Sequence, residues 1–69
     1  MTPRQLECLV LVAMGYTSKE IGRKLSIGVD TVDEHVEKAC AHLGAPSRRI
    51  AVRKAVQQGY LTMTWSVAA

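Results

Sequence analysis

The chain has 69 residues, a formal net charge of +3 and an isoelectric point near 9.2. That is one domain, with little room for a substrate cavity of several hundred Å3 and a core worth only a few kcal/mol, which favours dimerisation or attachment to a larger partner. Hydrophobic residues at 48% and charged residues at 22% are the balance of a globular domain, and with no Phe and one Trp the core must be aliphatic.

Taken in chain order, the helix boundaries are chemically marked. Thr2-Pro3-Arg4-Gln5 supplies an N-cap, a Pro at the first helical position and a Gln three residues after the cap. Leu6, Leu9, Val10 and Ala13 then fall at i, i+3, i+4 and i+7, the stripe of a first helix over about 3–14 that Gly15 closes. Thr17-Ser18-Lys19-Glu20 is a second capping box, opening a two-turn helix over about 18–25 with Ile21 and Leu25 on one face. Gly22 lies between them, at a cost of about 1 kcal/mol relative to Ala, which close approach of another backbone would explain. Ser26-Ile27-Gly28 is a tight connection, with Ile27 a buried plug and Gly28 or its neighbour the next cap. The third helix, about 29–43, carries Val32, Val36, Ala39 and Leu43 on one apolar face. Gly44 ends it and Pro46 prevents early resumption. Ser47 caps a fourth helix over about 48–58, with Ile50, Ala51, Val52, Ala55 and Val56 as its stripe and Gly59 as its stop. Beyond it, Leu61, Met63, Trp65 and Val67 alternate with Thr62, Thr64 and Ser66. Period two describes either a disordered end or an extended segment that docks on the domain or on a second copy. The expected division is a domain over 1–60 and an apolar tail over 61–69.

The fold class that follows is all-α, a four-helix bundle-like domain around a central helix-turn-helix. A short helix, a three-residue turn and a longer helix form that corner, and in it the second helix enters the major groove of DNA. The basic balance leans toward a polyanionic partner.

The residues carry the reading further. Thr2-Pro3-Arg4, then Gly15-Tyr16-Thr17-Ser18-Lys19-Glu20-Ile21, then Leu25-Ser26-Ile27, Thr31-Val32, His35, Leu43-Gly44 and Ser47-Arg48 follow in order without gaps. This run closely resembles the LuxR/GerE/FixJ helix-turn-helix family over residues 1 to about 58. The resemblance implies the output domain of a sequence-specific transcriptional regulator, dimeric through its fourth helix, on double-stranded DNA. Asp33, Glu34 and Glu37 stand where such proteins place base-reading residues. Lys19, Thr31 and the Ser47-Arg48 pair stand at backbone-contact positions, and Thr17, Lys24, His35, Lys38 and Arg49 join them as candidates around the third helix. Val52 and Val56, with Met63 and Trp65 from the tail, are the dimer-interface candidates.

The chain departs from the family pattern at the reading face. Asp33 follows Thr-Val where the family usually has Lys, and His42 precedes Leu-Gly where Lys is common. Asp30, Asp33, Glu34 and Glu37, four of the six acidic residues, fall at i, i+3, i+4 and i+7. The helix dipole favours acids in the first turn, but Glu37 is mid-helix. A carboxylate can accept a hydrogen bond from cytosine N4, yet it forfeits attraction to phosphate. The grip on DNA then falls to Lys19, Arg23, Lys24, Lys38, Arg48, Arg49 and Arg53. The competing expectation is a helix-turn-helix turned into a protein-interaction module, presenting its acidic third helix to a basic protein partner.

Other chemistries find little support. His35 and His42 share a face, but Cys40 points roughly 100–200° away and no zinc spacing is present, so no metal or cofactor is expected. The glycines are helix punctuation and no catalytic grouping is visible, so the chain is not read as an enzyme. Two cysteines, Cys8 and Cys40, set in apolar helical patterns, do not make a disulfide framework. No stretch approaches the roughly 18 apolar residues of a membrane span and no signal core opens the chain, so the expected place is the cytoplasm.

Overall fold

A computed structural model describes residues 1–61, and they form four helices: α1 Pro3–Ala13, α2 Ser18–Leu25, α3 Val29–Leu43 and α4 Arg48–Gln57. α1 and α4 each stop one residue short of the expected ends, because Met14 and Gln58 serve as C-caps. Both capping boxes form. Thr2 Oγ1 accepts from Gln5 N at 3.2 Å while Gln5 Oε1 accepts from Thr2 N at 3.1 Å. Thr17 Oγ1 accepts from Glu20 N at 3.2 Å and Glu20 Oε1 accepts from Thr17 N at 2.9 Å. Gly28 caps α3 with no side-chain bond, whereas Ser47 accepts from Ile50 N at the start of α4.

Gly22 behaves as its position demanded. A Cβ there would lie 2.7 Å from the carbonyl oxygen of Ile27, a backbone atom with no freedom to move aside. This contact closes the α2–α3 corner, and Ile27 N donates back to Gly22 O at 2.9 Å. The turn needs one left-handed residue, and Ser26 supplies it with φ of 58°. The sequence pattern did not signal that, since a Ser in this conformation costs roughly 1–2 kcal/mol that only tertiary contacts justify.

The core divides into two clusters that share α1 and α3. Cys8, Ile21, Val32 and Val36 pack where α2 meets the front half of α3. Leu9, Ala39, Leu43, Ala51, Ala55 and Leu61 pack where α4 meets its rear half. Adjacent residues of α1, Cys8 and Leu9, are both fully buried and point into different clusters. α3 is therefore held from behind along its length, which leaves its opposite face outward. Val52 and Val56 are half-buried against the rear cluster. Leu61, placed by its alternation at the start of the tail, is instead a core residue at 7% exposure. Met63, Trp65 and Val67 lie outside the described residues.

Candidate nucleic-acid interface

The 3.6-residue period that buries Val32, Val36, Ala39 and Leu43 turns Asp30, Thr31, Glu34, Glu37, Lys38 and Ala41 to solvent. The outward stripe of α3 thus contains Glu34 and Glu37, as the sequence pattern required. Glu34 accepts from Lys38 Nζ at 3.0 Å, one turn on, so its charge is locally compensated by a residue expected to hold phosphate.

Asp33 is placed differently. It is only partly exposed, on the flank of α3 that meets the N-termini of α2 and α4. Its Oδ1 accepts from Ser18 Oγ at 2.6 Å and from Arg48 Nη2 at 2.6 Å. Arg48 Nη1 in turn donates to Ser18 Oγ at 2.9 Å, which closes a three-membered ring across three helices. The Ser18 hydrogen bond first, and the Arg48 bond and charge after it, hold the Asp33 carboxyl below the usual carboxylate range. Asp33 is thereby engaged by the protein's own donors, and the Arg48 guanidinium by the protein's own acceptors. Sequence reasoning missed Ser18 altogether, because its role exists only once residues 15 and 30 positions away are brought to it.

The remaining candidates lie on α2, on α3 and at the start of α4. Lys19 and Arg23 are exposed on α2, and Arg49 is exposed at the start of α4. Lys24 Nζ sits 4.6 Å from the centroid of the Tyr16 ring, a cation–π contact that holds its ammonium beside α2. Thr17 and Thr31 are exposed, with the Thr17 hydroxyl also accepting the N-cap bond of α2. His35 is half-buried, and its Nδ1 has no hydrogen-bond partner among the described residues. Lys54, from the basic run of α4, donates to Gly44 O at 3.0 Å and so caps the C-terminus of α3.

Cys8 and Cys40 carry free thiols whose pKa values burial pushes up, so they act as small hydrophobes. Among the described residues no group of three His, Cys, Asp or Glu side chains could hold a metal ion, and no helix is long and apolar enough to cross a membrane.

A short capped helix, a turn closed on a glycine and a longer helix held from behind define a helix-turn-helix domain. Residues 1–55 match the family model of bacterial regulatory proteins of the luxR family. The solved structure of the transcription factor GerE superposes with a TM-score of 0.85 at 28% identity, over 91% of this chain and 94% of that one. Over 61 residues, 88% of the chain, it is 36% identical to the transcriptional activator protein VanR of Vibrio anguillarum. It is 38% identical over the same length to the oxygen regulatory protein NreC of Staphylococcus aureus. The chain spans only 25% and 28% of those two proteins. It belongs to the luxR family of bacterial regulatory proteins, as a DNA-binding domain of the transcription-regulator type, a family of regulators rather than enzymes.

Proposed function

We propose that this domain binds double-stranded DNA as a cytoplasmic homodimer, with the outward face of α3 in the major groove and two half-sites about one helical turn apart. The observation that carries the reading is the α2–α3 corner, together with the exposure of Lys19, Arg23 and Lys24 on α2 and of Arg49 at the start of α4. Those cations, with Thr17, Thr31, His35 and Lys38, would grip phosphates, while Glu34 and Glu37 read bases by accepting from cytosine amino groups. Asp33, tied to Ser18 and Arg48, supports that surface from its flank instead of reading bases. The exposed parts of Val52 and Val56 on α4 would meet a second copy, with Met63 and Trp65 as further candidates.

Fluorescence anisotropy of a labelled random-sequence duplex, titrated across salt, tests this. Binding should weaken steeply as salt rises, with log K falling by about 0.9 per phosphate neutralised in log[salt]. No binding at low salt removes the proposal. A specific observation favours the second reading, a protein-interaction module: Asp30, Glu34 and Glu37 are all exposed along one stripe of α3. Under that reading the duplex fails to bind, and Glu37→Lys creates DNA affinity that the parent lacks.

A further inference from the structure

We propose that Asp33 is an internal competitor for DNA phosphate: its carboxylate occupies the Arg48 and Ser18 donors at the junction of α2, α3 and α4, and so lowers the domain's affinity for the DNA backbone. The inference rests on the DNA-binding reading above and adds a determinant of its strength.

The geometry is that of an anion already bound. Arg48 presents Nη2 to the carboxylate and Nη1 to the Ser18 hydroxyl, which points its own proton at the same Oδ1. A phosphate oxygen is the other common partner of such a fork. Asp33 is followed in sequence by the exposed Glu34 and Arg48 by the exposed Arg49, so a duplex docked on α3 would bring its phosphates toward the ring. Arg48 and Asp33 remain 43% and 40% exposed, which keeps the pair open to exchange. An exposed pair of this kind is weak enough for DNA to displace, yet each displacement is a loss that an unpaired Arg48 would not incur. Asp33 acts through Arg48 and is an affinity-setting residue, not a base reader.

The test is a double-mutant cycle read on the same random-sequence duplex, because backbone contact is independent of sequence. Asp33→Asn keeps the shape and an acceptor for Ser18 while removing the charge. It should bind roughly threefold to tenfold tighter at low salt and steepen the salt slope by about 0.9, one more phosphate neutralised. Arg48→Ala in the parent should change affinity by less than about twofold, and in the Asp33→Asn background it should cut the gain back to the part that general repulsion supplies. Asp30→Asn removes the same charge from the same helix without touching Arg48. Its gain, from weaker general repulsion, should survive Arg48→Ala. Circular dichroism on each variant shows whether the helices persist, and Asp33→Ala replaces Asp33→Asn if the amide disturbs them.

Sequestration falls if Asp33→Asn leaves affinity and slope unchanged. It also falls if Arg48→Ala weakens the parent as much as the variant, since Arg48 would then already be free. A parent that binds while the cycle shows no coupling overturns this inference alone. If neither parent nor any variant binds, the DNA-binding reading falls and takes the inference with it. A parent that fails to bind removes the DNA-binding reading, and this inference with it, even where Asp33→Asn binds.

Discussion

Asp33 is one carboxylate of α3 bonded to two other helices, and its energetics follow from how exposed it is. At 40% exposure its attraction to Arg48 is screened by water, so the pair contributes about 0–1 kcal/mol, less than burying a single Leu side chain. Its pH dependence is nevertheless readable. The folded-state value lies below the ordinary one of about 3.9, so the folded protein holds the proton less tightly than the unfolded chain does. The resulting stability is present above the unfolded value and is lost as pH falls through the lowered folded value. Glu20 adds the same sign, because the Thr17 backbone N–H bonds its charged form first and the Thr17 side chain second. Urea midpoints measured from neutral pH down to about pH 2 should therefore fall on the acid side. Asp33→Asn should start slightly lower at neutral pH and fall less steeply. Parallel curves for the two proteins would mean that the ring with Ser18 and Arg48 does not survive in solution.

At the scale of the element, the α2–α3 corner decides where the outward helix points, and Gly22 decides the corner. In an isolated helix Gly22→Ala would be favourable by about 1 kcal/mol. Here the new methyl meets the Ile27 carbonyl at 2.7 Å, and relieving it means opening the turn. The net expectation is a loss of about 1–3 kcal/mol, the range for overpacking, visible as a lower thermal midpoint with the helices still formed. A gain in stability would show that the turn yields readily. Gly22 also marks the boundary of what the sequence made legible. Its close contact, both capping boxes and the stops at Gly15 and Gly44 could be read because each involves residues within a few positions of one another. The apolar stripe of α3 could be read for the same reason, and it fixed the outward placement of Glu34 and Glu37. The ring of Ser18, Asp33 and Arg48 could not, because no local pattern links positions 18, 33 and 48. Asp33 stood on the expected reading face at i+3 from Asp30, but the helical period leaves a residue there free to turn toward a flank. Only the arrival of α4 determined which way it went. Ser26 escaped notice for a related reason, since the left-handed turn is imposed by packing against local preference.

For the molecule as a whole, the small core makes stability and binding separable. The two clusters meet along α3, and the rear one is completed by Leu61 beyond the end of α4. Leu61 N and Tyr60 N both donate to Ala55 O, at 3.3 and 2.8 Å, and this folds the chain back so that Leu61 joins the rear cluster that holds Leu9 and Ala55. A core in a chain this short supplies about 3–5 kcal/mol, while Leu→Ala at a buried site costs about 2–5. Leu61→Ala should thus remove most of the margin, detectable as a large drop in urea midpoint at low temperature. The duplex-binding consequence is different in kind. Leu61 packs under α4, away from the exposed stripe of α3, so it should alter DNA affinity only through the unfolded fraction. Under conditions where circular dichroism shows the variant folded, its salt slope should match the parent's. A changed slope in the folded variant would mean that the position of α4, and with it Arg48 and Arg49, depends on Leu61, and those cations would then be mechanically tied to the rear of the core. An unchanged midpoint would instead remove Leu61 from the core and return the domain's end to Tyr60.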